Sequence, residues 1–298
     1  MDWLTEPFGY AFMQRALIEV VVVGLVCGFV GCFVVLRGLA FIGDALAHTV
    51  FPGVVLSYMA GRSILLGAFA FGALTAVSIG VLSRSRRVTE DTAVGVLFAA
   101  FFALGVVLIS RQSGFKRDLG SLLFGNVLGV SWGDVWATVI IGAIVLIVLM
   151  ALLKEFTLVA FDATMAKSAG YPVFALDIVL LLLVAATVVA SLQTVGNILI
   201  LALVVTPPAT ARLLTDRLSH MMVMSAGIAV ASGFLGLLIS YHADIAAGGT
   251  IVLTATAFFV LALAFAPNHG LLSGFLQRRR GTHHVHHYHP MEEDRPIR

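Results

Sequence analysis

Arg37-Gly38-Leu39-Ala40-Phe41-Ile42-Gly43-Asp44-Ala45-Leu46-Ala47-His48-Thr49-Val50-Phe51-Pro52-Gly53 sets a carboxylate and an imidazole four residues apart inside an apolar run. On an α-helix these two side chains project from one face, about one turn apart. An Asp at bilayer depth costs on the order of 2.5–3.5 kcal/mol on insertion scales, so two ionisable groups there mark a functional site. With Arg37 at one membrane surface, a rise of about 1.5 Å per residue carries Asp44 about 10 Å and His48 about 16 Å into a core of about 30 Å. That is close to the midplane.

The flanking sequence supplies the bilayer. Of 298 residues, 60% are hydrophobic and only 11% charged, against about 25% charged in a soluble domain; the mean hydropathy is +1.03. Apolar stretches long enough to span recur from end to end, which predicts an all-α integral membrane protein of about nine transmembrane helices. Eight result if residues 198–214 re-enter instead of crossing. Residues 1–267 are expected to form a single transmembrane domain, and residues 268–298 a polar, His-rich, disordered cytoplasmic tail. Lys and Arg near span ends set the orientation. With the N-terminus outside and the C-terminus cytoplasmic, eleven cations, among them Arg37, Arg84, Lys154, Lys167 and Arg212, fall inside against five outside. A net charge of +2 points to no nucleic-acid partner. In the first span, Gly24, Gly28 and Gly31 let another helix approach, and Cys27 and Cys32 read as small packing residues.

Four features could carry chemistry. The oxygen and nitrogen of Asp44 and His48 suit zinc, manganese or ferrous iron, but two ligands leave a coordination sphere incomplete, so further ones must come from another span, a symmetry mate or water. An ion pair fastening helices and a proton relay are the competing readings. Asp162 to Gly170 is a short polar helix, with Asp162 as N-cap, Gly170 just past its end and Pro172 as stop; it either docks on a cytoplasmic partner or is a plain loop helix. The run Gln193 to Asn197, followed by Pro207-Pro208, predicts a discontinuous helix whose Asn197, Pro207 and Pro208 line a path or merely kink the span. In the tail, His283, His284, His286, His287 and His289 have metal-ligand chemistry. Glu19 and Asp177 read as interfacial, and Lys154-Glu155 as the end of a span beginning near Val135. There is no Gly-Lys dipeptide, hence no phosphate-binding loop. ATP hydrolysis, if used, belongs to another subunit.

The block Val34 to His48 with Pro52-Gly53, the segment Leu122-Leu123-Phe124-Gly125-Asn126, the stretch Phe161 to Gly170 and the run Val195-Gly196-Asn197 through Pro207-Pro208-Ala209-Thr210-Ala211 occur in an order that resembles the membrane permeases of bacterial ABC importers for zinc, manganese and iron. The resemblance implies a multi-pass permease of the bacterial cytoplasmic membrane that is not itself an enzyme. It implies a second copy of the chain, two cytoplasmic ATPase subunits and an extracytoplasmic metal-binding protein as partners, and a transported divalent ion with no permanently bound cofactor. It places metal contacts at Asp44 and His48. It makes Asp162, Ala163, Ala166, Lys167 and Gly170 part of a cytoplasmic coupling helix that sits on the ATPase. A proton-coupled secondary transporter using Asp44 without an ATPase, and an intramembrane enzyme centred on Asp44 and His48, remain the alternatives.

Overall fold

Inside a bilayer the backbone has no water to bond, so an apolar chain must satisfy its amides within helices. The computed structural model describes residues 6–84, 87–110 and 127–266, apart from the side chain of Gln193, and its regular elements there are all helical. They are α1 (Ala11–Leu36), α2 (Ile42–Thr49), α3 (Phe51–Met59), α4 (Ile64–Ser83), α5 (Glu90–Ser110), α6 (Trp132–Ala151), α7 (Leu153–Phe161), α8 (Ala163–Ser168), α9 (Val173–Val195), α10 (Asn197–Leu214), α11 (Leu218–Ala243) and α12 (Ala247–Phe265). The tail histidines and the Leu122–Asn126 segment lie outside the described residues.

Eight of these helices are individually long and apolar enough to cross a membrane. The apolar run that would make a ninth span folds as the pair α2 and α3. Their junction, Val50, keeps a right-handed helical backbone (φ −73°, ψ −15°). Together they cover residues 42–59, about 27 Å of helical rise. The interruption falls at Val50, and Pro52 sits in the first turn of α3, where its missing N–H costs nothing.

Helix α1 is the axis of the bundle. It packs against α6, α10 and α11, while α9 pairs with α4 and α6 and lies beside α2. Two of its glycines mark where backbones meet. A Cβ on Gly28 would lie 2.7 Å from the Cα of Ala226 on α11, and one on Gly31 would collide with the Val204 carbonyl and the Pro208 ring of α10. The second contact explains why Pro207-Pro208 does not break α10, contrary to expectation. Two prolines remove two donors from the ladder, and the carbonyls they release need another environment; that of Val204 is turned toward the glycine surface of α1, and α10 runs on to Leu214. The outer helices α5, α6 and α12 are apolar around most of their circumference, with Ile140, Ile144, Ile147 and Leu253 among their exposed residues.

Three boundaries differ from expectation. The span after Val135 does not close at Lys154-Glu155: α6 stops at Ala151, and after Leu152 (φ −104°, ψ 18°) the chain resumes as α7, which contains both residues. It starts earlier too, at Trp132, where Ser131 and Asp134 form a reciprocal capping box. The break expected across residues 193–197 shrinks to one residue, Gly196. Its φ of 81° and ψ of 163° suit only glycine, and they let α9 run unbroken to Val195. Glu19, expected at an interface, is fully buried (0% exposed) in the middle of the packed helices.

The α1–α10 contact predicts that Gly31→Ala lowers the unfolding temperature in detergent, by the equivalent of about 1–3 kcal/mol for an overpacked site. Gly227→Ala serves as the comparison, since a Cβ there meets nothing within 4 Å; it should leave that temperature unchanged or raised.

Candidate functional site

Gly38 (φ 72°) reverses the chain at the end of α1, and α2 begins at Ile42. This places Asp44 in the first turn of an eight-residue helix and His48 in its last turn. A carboxylate near the helix N-terminus suits the helix dipole. The two lie on one face, with His48 Nε2 3.5 Å from Asp44 Oδ1.

A third group joins them. Asn197, the first residue of α10, is 5% exposed and brings its Nδ2 to 3.0 Å from His48 Nε2 and 3.3 Å from Asp44 Oδ1. For the amide to donate to both, His48 Nε2 must present its lone pair, the same one that a metal ion would take. The amide hydrogens thus stand where a cation would. Among the described residues Asn197 Oδ1 finds no donor, and a half-turn of the amide exchanges Oδ1 for Nδ2. Donors bonded at about 2.1 Å to one ion stand about 3.0 Å apart at octahedral and about 3.4 Å apart at tetrahedral angles. The triangle of 3.0, 3.3 and 3.5 Å therefore already has the span of a coordination face. Among the described residues no three of His, Cys, Asp and Glu converge on a point. Turned over by that half-turn, the Asn197 amide would offer a neutral carbonyl oxygen as the third donor.

Helix α5 fixes the imidazole. Phe98 and Phe102, one turn apart, are parallel to each other (6.0 Å between centroids, 1°) and both meet the His48 ring edge-on, at 5.3 and 5.4 Å. Phe102, with Phe51, Val106 and Leu192, borders an apolar cavity of about 250 Å3 that reaches His48 and Asn197. The i, i+4 phenylalanine pair is visible in the sequence, but nothing there separates a clamp on a histidine from a lipid-facing stripe. Depth follows from two ties between α1 and the α9–α10 region. Thr194 bonds Glu19, and Val204 touches Gly31, so α10 runs alongside α1 in the same direction. Asn197, seven residues and about 10 Å before Val204, lies level with Gly24, halfway along α1.

Pro207 and Pro208, proposed above with Asn197, are both buried, and the Pro208 ring abuts Gly31 of α1; neither borders the cavity beside His48. The short helix at residues 162–170 sits at the end of the bundle near Arg37. Asp162 caps α8 by accepting from the Met165 amide (2.8 Å). Its far end is a Schellman turn: Tyr171 N–H bonds Ala166 O and Gly170 N–H bonds Lys167 O, both at 3.1 Å, with Gly170 at φ 87°. Ala166 is buried and anchors the helix, which leaves Ala163, Met165 and Lys167 exposed. Lys167 also borders a cleft of about 800 Å3, shared with Arg37, Arg84, Glu90 and Asp177. Within it Arg37 pairs with Asp177 (2.8 Å) and Arg84 covers the Phe174 ring. Three cations assigned to one membrane face by counting thus share one end of the fold.

Comparison with known proteins supplies the family. The pattern of the ABC 3 transport family matches residues 9–266. The chain is similar to the "Manganese transport system membrane protein MntC" of Halalkalibacterium halodurans, with 45% identity over 92% of this chain and 94% of that one. It is also similar to the "Chelated iron transport system membrane protein YfeD" of Yersinia pestis, with 41% identity over 88% of each chain. Among solved structures it resembles a chain of "PsaBC from Streptococcus pneumoniae in complex with Fab", with a TM-score of 0.81 and 37% identity, covering 93% of this chain and 99% of that one.

Loss of the α8 cap is separable from the bundle. Asp162→Ala is expected to weaken α8 by about 0.5–2 kcal/mol, read as faster amide exchange confined to residues 163–171 with the exchange of α9 unaltered.

Proposed function

The chain belongs to the ABC 3 transport family, and on that premise we propose that it is the membrane permease of an ATP-driven importer of a divalent metal ion, manganese, iron or zinc. The single observation carrying this reading is the triangle of Asp44, His48 and Asn197 halfway along α1. An ion entering it replaces the donated amide hydrogens. Asp44 supplies the only full charge, His48 a borderline nitrogen and Asn197 a neutral oxygen, with water completing the sphere. One carboxylate and two neutral donors hold the ion without trapping it, as a transported ion requires.

Relatives of this family are membrane subunits, and with no phosphate-binding loop in the chain the ATPase is a separate subunit. The working unit we propose is two copies of the chain, two cytoplasmic ATPases beneath the α8 helices, and an extracytoplasmic metal-binding protein above, in the bacterial cytoplasmic membrane with the N-terminus outside. Movement of α8 has a direct route inward. Tyr171 and Pro172 lead straight into α9, whose Asp177 holds Arg37 at the start of the turn into α2. The other end of α9 is the Gly196 swivel beside Asn197. An ATPase that tilts α9 therefore acts on both sides of the triangle, which is what alternating access between the two faces demands.

Expressed with its partners, the Asp44→Ala or His48→Ala chain is expected to lose metal uptake while still assembling with the ATPase, measured with manganese(II), iron(II) and zinc(II) in turn. Undiminished uptake in both variants refutes the site. Uptake into liposomes by this chain alone, driven by a proton gradient without ATPase, would replace the ABC reading with the secondary-transporter one. Removal of residues 281–298, with the five tail histidines, should leave uptake unchanged.

A further inference from the structure

Glu19 is a buried acid for which the transport site has no direct use. It lies 8 residues into α1, is 0% exposed, and accepts on a single oxygen, Oε1, from two hydroxyls of different helices: Thr138 of α6 at 2.8 Å and Thr194 of α9 at 2.6 Å. Among the described residues its Oε2 has no hydrogen-bond partner. A carboxyl group desolvated to this degree is costly and persists only where its bonds hold something in place.

We propose that Glu19 is a positioning residue for Asn197, acting through Thr194 to fix the third corner of the metal site; this rests on the function proposed above. The argument is geometric. Thr194 is the second-last residue of α9, and Gly196 follows at φ 81°, ψ 163° with no side chain to hold it. Whatever direction α10 takes from that swivel is set by anchors on its two sides. On the far side, Val204 and Pro208 press on Gly31 of α1. On the near side, the last turn of α9 is tied to α1 by the Thr194–Glu19 bond. Both anchors are on α1, and Asn197 lies between them. Cutting the near anchor frees the last turn of α9 to rotate at Gly196, and Asn197 moves off His48 and Asp44, while the hydrophobic packing of Val195, Leu199 and Ile200 keeps the bundle folded.

Thr138 and Thr194 both bond the same oxygen, but only Thr194 adjoins the swivel. This separates positioning from general stabilisation. Uptake is measured against metal concentration in cells carrying the whole transporter, using whichever of manganese(II), iron(II) or zinc(II) the wild type takes up, with the membrane level of each variant determined by immunoblot. Thr194→Val, which keeps the volume and loses the hydroxyl, should raise the apparent KM about fivefold to tenfold at little changed maximal rate, the equivalent of about 1–1.4 kcal/mol for one orienting hydrogen bond. Thr138→Val should leave it within about twofold, since it removes one bond of the same kind. Glu19→Gln keeps an acceptor oxygen and should also stay within about twofold, whereas Glu19→Leu should match or exceed the Thr194→Val effect. Equal KM values for the two threonine variants, or a fall confined to maximal rate, would overturn the proposal, and so would a Glu19→Gln chain as defective as Glu19→Leu. Asp44→Ala in the same series keeps the premises apart: if it transports normally, the metal site itself is wrong, whatever Thr194 does.

Discussion

A polar side chain in hydrocarbon must find its partner within the protein, and in this bundle that requirement decides where the helices can go. Asp44, His48 and Asn197 come from elements 149 and 153 residues apart in the chain, yet each supplies what the others lack. The amide donates where the carboxylate and imidazole accept. Glu19 repeats the arrangement one level away with two threonine hydroxyls. An unpaired polar group at such a place would cost roughly as much as several methylene burials gain, so these few contacts constrain α1, α2, α6, α9 and α10 more tightly than any one apolar contact does.

The apolar packing then makes the arrangement possible. Small residues on α1 bring α10 and α11 within backbone contact, and that closeness lets a helix with two consecutive prolines remain continuous. Helix α1 carries both Gly31 and Glu19, so it serves as the fixed reference against which the Gly196 turn is measured. Elements tied to the bundle end, α8 and the start of α9, meet the turn between α1 and α2 through the Arg37–Asp177 pair. One helix, α9, therefore touches both the packed core and the bundle end.

Much of this could be read in the chain itself. The eight long helices follow from hydropathy, because apolar length alone separates a span from a loop. Asp44 and His48 stand out because ionisable groups are rare in apolar runs, and α8 is recognisable from Asp162 and Gly170 because capping is a local property. Asn197 announced itself only as part of a helix break; that it completes the Asp44–His48 pair depends on tertiary contact. Long-range partners were illegible for the same reason. Thr138 and Thr194 lie 119 and 175 residues from Glu19, and with no local signal Glu19 looked interfacial. Pro207-Pro208 looked like a break because the glycine surface that accommodates it belongs to another helix.

The central claim is that Asp44, His48 and Asn197 form one coordination face. Its most direct test is anomalous diffraction from the assembled transporter loaded with manganese(II). A single peak about 2.1–2.3 Å from Asp44 Oδ1, His48 Nε2 and Asn197 Oδ1, with the amide turned over from its present orientation, is the predicted result. A bound ion elsewhere in the bundle, with the Asn197 amide still donating to Asp44 and His48, would contradict it.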